Sequence, residues 1–355
     1  MVGLQPDADE IEVSLFGPGY GEAIAIHVGD GQWMVVDSCW LDRAQGIAVT
    51  AKYLNDLGVA DHQVRHVIAS HWHDDHVGGI ASLVKRYKQA EFHFPSFLSE
   101  REGLEFLAAY SGRANGDADG TTELYGAMLE VRDSGRRFSP LHFRTIIAEE
   151  CLSFGRMCAI ALSPSGNAWA SAMASVQCRV NPGSVPKRAP QPEINLSSIV
   201  MHVDYGFETV LLGSDLEIQE GLGWKEIVGH PWTKKRNKAS LYKVPHHGSP
   251  TACAPEIWST LVAPEAESAL TPFVNGRVRL PSSEDVKRIK GYTPRLRTTA
   301  PMARQEPKET IAERRLASFL KNATGRGKRM GHLRYRKKVG QTLWTCEMDG
   351  AASVL

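Results

Sequence analysis

Hydrophobic and polar positions along this chain recur with the two periods that define strands and helices. Residues 11–16, Ile-Glu-Val-Ser-Leu-Phe, have the two-residue period of a half-buried strand. Apolar residues from about Arg43 to Leu57 recur at helical spacing instead. The first half is therefore predicted to contain strands near residues 11–16, 23–28, 33–36, 66–70 and 92–94, and helices near residues 43–57, 79–87 and 98–110.

The second half repeats this style of organisation. It is predicted to contain strands near residues 145–147, 157–162, 197–203 and 208–212, and a further strand that ends at Val244. Residues 164–194 are rich in Ser, Ala, Gly and Pro without a clear period, which predicts an insertion or mobile loop rather than a core element. Alternating strands and helices in two similar halves predict an α/β fold with two sheets face to face and helices outside.

The composition is typical of a globular protein in water. Of the 355 residues, 42% are hydrophobic and 23% are charged. No apolar run approaches the ~20 residues that span a bilayer, and residues 1–13 lack the pattern of a secretory signal. Six scattered cysteines without a CxxC pair are expected to be reduced thiols. These features predict a cytoplasmic location and no membrane partner.

The net charge of +1 hides an uneven distribution. Residues 281–340 contain 17 lysine and arginine residues but 5 acidic residues. Such a basic segment indicates either a solvated helical face or a polyanionic partner. The charge alone does not decide between these alternatives.

A dense cluster of chemically active side chains lies at His71-Trp72-His73-Asp74-Asp75-His76. Neutral histidine is the commonest side-chain metal ligand, and a neighbouring carboxylate can bind a second ion or hold a water. His71 and His73, two positions apart on extended backbone, point to the same side. Because the run follows an apolar strand and precedes Gly78-Gly79, we expect a metal site in a loop that opens a helix.

Metal-competent residues follow three other predicted strands. Asp37 follows residues 34–36, Asp215 follows residues 208–212, and His246 follows the strand that ends at Val244. Strand ends of α/β proteins converge at one edge, so these residues are predicted to meet the cluster at 71–76. Each alone has an ordinary explanation, such as a helix cap for Asp215. Their conjunction favours a shared site.

These residues resemble a known family. The pattern His71-x-His73-x-Asp75-His76, with Asp37 upstream and Asp215 and His246 downstream, resembles the metallo-β-lactamase superfamily over about residues 10–290. Residues 211–215, Leu-Leu-Gly-Ser-Asp, and 241–249, Leu-Tyr-Lys-Val-Pro-His-His-Gly-Ser, further resemble its ComEC-like branch. That branch includes the hydrolase domain of the competence DNA-uptake channel protein. Since the channel's membrane segments are absent, a free-standing soluble member is expected.

The resemblance implies a four-layer αββα sandwich with one or two divalent metal ions, Zn²⁺ or Mn²⁺, at the sheet edge. The implied ligands are His71 and His73 for one ion, Asp75, His76 and His246 for the other, and Asp215 bridging the two. Asp37 would orient ligands without binding metal itself. Asp75 would orient the reacting water, and His247 would either protonate the leaving group or serve as a hydrogen-bonding neighbour of the site.

One part of the superfamily pattern is missing. Most members supply another histidine in a Pro-Gly-His loop, whereas residues 163–167 here read Ser-Pro-Ser-Gly-Asn. The first ion would lack a ligand unless one of four other residues supplies it, namely Asn167, Asn195, His142 or His202. More oxygen ligands would shift the preference from zinc toward manganese or magnesium, and a single occupied site is equally compatible.

The main functional prediction is a phosphodiesterase or nuclease that acts on DNA or RNA through a metal-bound hydroxide. Basic residues contact phosphates and aromatic rings stack on unpaired bases, although a solubilising surface explains such stretches too. The predicted nucleic-acid-binding residues are Trp232, Lys234, Lys235, Arg236, Lys328, Arg329, Arg336 and Lys337. The alternatives are a small-molecule hydrolase of the same fold, acting on a lactone, thioester or lactam, and a binding protein with a vestigial site.

The predicted domain organisation has two parts. Residues 1–290 form the hydrolase domain, with the insertion at 164–194. Residues 291–355 form a basic C-terminal extension that packs on the same domain.

Overall fold

Two eight-stranded sheets lie at the centre of the protein in the computed structural model, which describes residues 3–112, 120–178, 194–276, 278–301 and 330–355. The strands are β1 (Glu10–Gly17), β2 (Ala23–Gly29), β3 (Gln32–Val36), β4 (Trp40–Asp42), β5 (Ile47–Ala48), β6 (Val64–Ile68), β7 (Glu91–Pro95), β8 (Phe138–Leu141), β9 (Ile146–Leu152), β10 (Gly155–Ala161), β11 (Met201–Asp204), β12 (Thr209–Leu212), β13 (Ile218–Gln219), β14 (Ala239–Lys243), β15 (Val262–Leu270), β16 (Phe273–Asn275), β17 (Val278–Leu280), β18 (Leu296–Thr298), β19 (Gly331–Lys338), β20 (Thr345–Gly350) and β21 (Ser353–Val354). The helices are α1 (Val49–Asp56), α2 (Asp74–Val77), α3 (Ile80–Arg86), α4 (Arg101–Tyr110), α5 (Gly120–Asp133), α6 (Gly166–Gln177), α7 (Gly223–Gly229), α8 (Pro255–Leu261) and α9 (Ser283–Lys290).

The two sheets have related strand orders. The first sheet runs β20-β19-β1-β2-β3-β6-β7-β8, and the second runs β21-β18-β15-β14-β12-β11-β10-β9. In the first sheet, β3, β6, β7 and β8 are parallel neighbours. In the second, β12, β14, β15 and β18 are parallel. The carboxyl ends of these parallel strands carry the loops that build the candidate site.

Three apolar clusters fill the spaces between the layers. One packs helices α1 and α3–α6 against the first sheet, with Leu54 and Phe106 among its members. The second lies between the sheets and includes Met34 and Val210. The third packs α7–α9 against the second sheet around Trp224. The predicted αββα sandwich is therefore confirmed.

Strand β1 departs from its predicted half-buried pattern, because polar Glu12 and Ser14 are buried with 0% exposure. The carboxylate of Glu12 accepts hydrogen bonds from Ser14, Tyr53 and Arg336. These partners compensate the cost of burying a charge. The helix layer and β19 thus cover the face that alternation alone would assign to solvent.

The region predicted as an insertion contains a helix. Its alanine-rich segment Gly166–Gln177 forms α6, and the hydroxyl of Ser165 caps it by accepting a hydrogen bond from the backbone N–H of Ala168. Met173 and Val176 anchor the helix in the first core. Residues 179–193, most of the rest of the predicted insertion, lie outside the described part of the chain.

Residues beyond 290 contribute strands to both sheets. β19 pairs antiparallel with β1 along its whole length, and β18 pairs in parallel with β15. The predicted division after residue 290 stays a prediction, although both sheets contain strands from either side of it. Among the described helices, none combines the length and apolarity needed to cross a bilayer.

Candidate metal centre

The loops after β3, β6, β12 and β14 meet at one edge of the sandwich. The loops after β6, β12 and β14 border a cavity of about 290 Å³. The residues that line the cavity are Tyr20, His73, Asp74, Asp75, Asn195, Asp215, His246, His247, Phe273, Asn275, Val278 and Leu280. The site loops therefore meet at one edge of the sandwich, as the positions of the strand ends predicted.

Asp75, His76, Asp215 and His247 form a buried group of four donors, all within 4.8 Å of one another. Nε2 of His247 lies 3.1 Å from Oδ2 of Asp75 and 3.3 Å from Oδ2 of Asp215. Nε2 of His76 lies 3.4 Å from Oδ1 of Asp215 and 3.6 Å from Oδ2 of Asp75. Two imidazoles and two carboxylates thus face a common point.

A second group shares Asp215. One donor atom each of His71, His73 and Asp215 lies within the same 4.8 Å limit. Nε2 of His71 is 3.1 Å from Nδ1 of His73, and His71 is fully buried. Asp215 consequently lies between the two groups, where a bridging carboxylate was predicted.

His246 and His247 occupy different environments. Both residues have left-handed backbone, with φ of 47° and 53°, and form a tight turn. The turn directs His247 into the four-donor group, where its Nδ1 is 2.8 Å from the carbonyl oxygen of Thr271. His246 instead has Nδ1 3.0 Å from Oε1 of Glu217 and Nε2 3.2 Å from Nδ2 of Asn195. The ligand position assigned to His246 from the sequence is thus taken by His247 in the structure, while His246 lies at the cavity wall.

Asp37 contacts His76 directly and is linked to His71 through Ser70. Its carboxylate is 2.7 Å from Nδ1 of His76, and it accepts hydrogen bonds of 2.7 Å from the backbone N–H and the hydroxyl of Ser70. The Ser70 hydroxyl is in turn 2.9 Å from Nδ1 of His71. These contacts fix the orientation of both rings, which is how carboxylates commonly support metal-binding histidines.

A buried ion pair lies beneath Asp215. Nζ of Lys243 is 2.8 Å from Oε2 of Glu22 and 3.9 Å from Oδ1 of Asp215, and it donates a 3.1 Å hydrogen bond to the carbonyl oxygen of Ser214. Burial opposes the charge on Lys243, but Glu22 and Asp215 outweigh it, so the pKa of Lys243 is raised. Lys243 therefore stays cationic and partly balances the surrounding carboxylates.

The carboxylates also determine the charge of the histidines. Burial opposes protonation of His247, but Asp215 and Asp75 outweigh it and raise its pKa to about 9. The same balance raises the pKa of His76 well above its usual value. Burial dominates at His71 and His73, whose pKa values are lowered. The four-donor group thus attracts positive charge strongly.

The donor set fits a divalent cation. Four buried polar atoms at this edge have no hydrogen-bond partner among the described residues. They are Nε2 of His73, Nε2 of His76, Oδ1 of Asp215 and Oδ1 of Asn195. Unpartnered buried polar atoms are costly unless another group satisfies them. Mixed imidazole and carboxylate donors suit zinc and manganese. A cation between these atoms would provide the missing interactions.

Asn195 is the best placed of the four residues considered for the missing ligand. It lines the cavity beside His73 and Asp215. The amide of Asn167 donates to the carbonyl oxygen of Gly221. The ring of His142 is within 3.1 Å of the Thr145 hydroxyl, and that of His202 is within 2.9 Å of the Asn237 carbonyl oxygen.

The predicted nucleic-acid-binding residues do not form one surface. Arg336 pairs with Glu12 at 2.7 Å, and buried Lys337 pairs with Glu208. Because these cations neutralise internal carboxylates, the structure does not support a role for them in binding phosphate. Lys328 and Arg329 lie outside the described residues.

Trp232 lies in a separate aromatic and basic patch on the outside of the second sheet. The guanidinium of Arg236 lies 4.4 Å from the centre of its ring, and that of Arg144 lies 5.3 Å away. Lys234 and Lys235 are exposed beside it. The residues that line the cavity do not include any of this patch, so sequence proximity to residues 246–247 does not place it at the site.

Two supporting residues were missed by the sequence analysis. Lys243 had a detectable signal, since it is a charged residue between apolar residues at the end of strand β14. Glu22 gave no such signal in the sequence, because its partner Lys243 is more than 200 positions away. A third constraint is Gly120 at the start of α5, where an added Cβ would lie 1.7 Å from the carbonyl oxygen of Trp72. This close contact supports the loop of residues 71–76.

Comparison with known protein families finds one similarity. The sequence model of the metallo-β-lactamase superfamily matches residues 16–139, so this part of the chain is similar to that superfamily. The match includes Asp37 and the cluster at 71–76, whereas Asp215 and His247 lie beyond it. The narrower resemblance to the ComEC-like branch stays a prediction.

The solved structures that are similar to this protein include two with low sequence identity. The metallo-β-lactamase fold protein YhfI from Bacillus subtilis has 12% identity, with a TM-score of 0.42, and the match covers 83% of this chain and 97% of that one. The metallo-β-lactamase SMB-1 bound to 2-mercaptoethanesulfonate has 13% identity and a TM-score of 0.36, covering 69% and 81%. No curated protein matches the chain significantly.

Proposed function

We propose that this protein is a metal-dependent hydrolase of phosphodiesters. The observation that carries the proposal is the four-donor group of Asp75, His76, Asp215 and His247 beside an open cavity. A bound divalent cation would lower the pKa of a water molecule to about 7 and polarise a phosphoryl oxygen. The similarity of residues 16–139 to the metallo-β-lactamase superfamily supports a hydrolase in general, and the choice of a phosphodiester goes one step further.

The residues around the cavity would divide the remaining work. Asp75, His76, Asp215 and His247 would hold one cation, and His71, His73 and Asp215 would hold a second. Asp37 would hold the rings of His76 and His71 in place. In this arrangement Asp75 also accepts a hydrogen bond from the attacking water and orients it.

His246 is the proposed proton donor to the leaving group, in place of His247. Its Nδ1 is held by Glu217, and the ring lies at the cavity wall, 18% exposed. Burial opposes ionisation of Glu217, but contact with His246 outweighs it and lowers the pKa of Glu217. The carboxylate of Glu217 thus holds the imidazole of His246 in one orientation at the cavity wall.

A nucleic acid is the proposed source of the phosphodiester. Lys234 and Lys235 support this choice, because both are exposed and neither forms an ion pair with a carboxylate in the described part of the chain. Trp232 contributes less, since Arg236 and Arg144 already lie against its ring. The predicted roles of Lys328 and Arg329 remain proposals on the sequence alone.

A small-molecule hydrolase is the second candidate, favoured by the cavity itself. Its volume of about 290 Å³ is near the lower end of the range for small-molecule pockets, roughly 300–1,000 Å³. Phe273, Val278 and Leu280 give it an apolar wall. A lactone, thioester or lactam would bury its apolar part there.

One substrate panel separates the two functions. Metal-free protein is reconstituted with Zn²⁺ or Mn²⁺ and assayed on bis(p-nitrophenyl) phosphate, single-stranded DNA, RNA and a simple lactone. We expect phosphodiester cleavage that falls about 100-fold or more in Asp215→Ala and is unchanged in Asp133→Ala, an exposed aspartate. Cleavage of the lactone alone would establish the second candidate, and no turnover of any substrate would overturn both.

A further inference from the structure

A second histidine and carboxylate group lies on β6 and β7, away from the cavity. The parallel register pairs His66 with Glu91 and Ile68 with His93. Alternate residues on a strand share a face, and paired residues of neighbouring strands share it too. His66, Glu91 and His93 are therefore on one face of the sheet. One of these two strands, β6, ends five residues before His73, but the group includes no residue of the candidate metal centre.

The three side chains present donor atoms to a common point. Nδ1 of His66 lies 3.0 Å from Nε2 of His93, which lies 3.9 Å from Oε2 of Glu91. All three donors lie within 4.8 Å of one another. His66 and His93 are 7% and 2% exposed, whereas the side chain of Glu91 is 62% exposed. The carboxylate thus marks the open side, through which an ion could enter.

The spacing is compatible with coordination as well as with a simple hydrogen bond. Two imidazole nitrogens on one tetrahedral zinc, at about 2.0–2.1 Å from it, are separated by roughly 3.3 Å. The observed 3.0 Å requires a small outward shift. Burial lowers the pKa of His66 to about 4 and that of His93 to about 3, so both rings are neutral at physiological pH. Neutral imidazole is the form that binds metal.

We propose that His66, Glu91 and His93 form a second metal site, selective for a divalent transition metal such as zinc. Two imidazoles and one carboxylate supply three ligands, and water would complete a tetrahedral shell. The imidazoles favour zinc over calcium or magnesium, which prefer oxygen ligands. The ion would connect β6 to β7, and so stabilise the strand that leads into His71 and His73.

The test isolates this site by removing the ligand that both groups of the candidate metal centre share. Metal-free Asp215→Ala protein is titrated with Zn²⁺ by calorimetry, with its fold checked by circular dichroism. We expect one equivalent of zinc less when Glu91→Gln is added and no change when Glu100→Gln is added, whatever zinc Asp75, His76 and His247 still bind. Glu100 is a matched exposed glutamate on the segment that follows β7.

A second measurement covers the case in which Asp215→Ala does not fold. In the otherwise unaltered protein, Glu91→Gln and His93→Gln should each bind one zinc fewer than Glu100→Gln. Zinc stoichiometry that is the same in all three variants would overturn the second site, whatever the outcome of the substrate panel. Calcium in place of zinc should give no binding that depends on Glu91.

Discussion

Lys243 and Glu22 form an ion pair inside the protein, with 2.8 Å between Nζ and Oε2 and 1% exposure of each side chain. Lys243 lies beside Asp215, and Glu22 accepts a hydrogen bond from the hydroxyl of Thr271, whose carbonyl oxygen contacts His247. The backbone N–H of Glu22 also donates to the carbonyl oxygen of Asp75 at 2.8 Å. One buried pair thus supports three members of the four-donor group.

Removing one charge of this ion pair should destabilise the protein much more than removing both charges. Lys243→Met leaves the carboxylate of Glu22 buried without its cation, which should lower the free energy of unfolding by about 3–5 kcal/mol. Adding Glu22→Gln removes the stranded charge, so the double variant should recover most of that loss. Urea unfolding of the three proteins measures both effects. A single variant that loses less than about 1 kcal/mol, or no recovery in the double variant, would contradict this account.

Substitution of the two adjacent histidines should have separable effects. His247→Ala removes a donor from the four-donor group, so the protein should lose metal on dialysis. His246→Ala should keep the metal and lose turnover, because the ring lies outside that group and lines the cavity. Metal content and turnover, measured on the same preparations, check both outcomes. If His246→Ala loses the metal and His247→Ala loses only turnover, His246 is the metal ligand, as assigned from the sequence.

The basic residues should divide into a structural and a binding class. Arg336→Gln should lower the free energy of unfolding by about 3 kcal/mol, because it strands the buried Glu12. Its effect on DNA affinity should be small. Lys234→Gln/Lys235→Gln should leave stability unchanged within about 0.5 kcal/mol and reduce the salt dependence of DNA binding. Fluorescence anisotropy at several salt concentrations tests this, and an unchanged salt slope would argue against a nucleic-acid surface there.

A methyl group at Gly120 should disturb the metal loop. The Cβ would overlap the carbonyl oxygen of Trp72, so Gly120→Ala forces the backbone before His73 to move. We expect metal affinity at least about 10-fold lower while the protein remains folded. Gly126→Ala on the same helix is the control, since its Cβ would meet the side chain of Ala81 at 3.4 Å. Equal affinities in the two variants would show that the loop tolerates the shift.

The protein should lose stability in mild acid partly through His332. Its ring stacks on Phe16, with 4.3 Å between centroids, and burial lowers its pKa to about 3. Between pH 6.5 and 3 the unfolded chain binds this proton and the folded protein does not, so the contribution is complete above pH 6.5 and declines below it. From pH 7.5 to 5.5 the wild type should lose about 1.4 kcal/mol more than His332→Gln. If the free energy of unfolding depends on pH in the same way in the two proteins, this role of His332 is excluded. As a control, substitution of the exposed His62 by Gln should give the pH dependence of the wild type.

The fold could be predicted from the sequence because its strongest signals are local. Apolar runs gave most strands of both sheets, and the loop positions of Asp37 and Asp215 followed from the strand ends. Helix α6 was missed because its alanine-rich segment lacks the amphipathic period, although Ser165 is a recognisable cap. The burial of Glu12 could not be predicted, since Arg336 reaches it from the far end of the chain.

The site was predicted as a set of residues but not as an arrangement. Which of His246 and His247 faces the donors depends on two left-handed backbone residues, which a His-His-Gly sequence does not specify. Likewise, the charges of Arg336 and Lys337 suggested an anionic ligand, whereas their partners are glutamates within the fold. Such pairings are long-range, so composition cannot distinguish them from a binding surface.

The most direct test of the central claim is the position of a bound metal ion. Crystals grown with Mn²⁺ or Zn²⁺ and measured at the absorption edge of that metal should show an anomalous peak in contact with Asp75, His76, Asp215 and His247. A peak held by His246 and Glu217 instead, or no peak at this edge of the sandwich, would contradict the account.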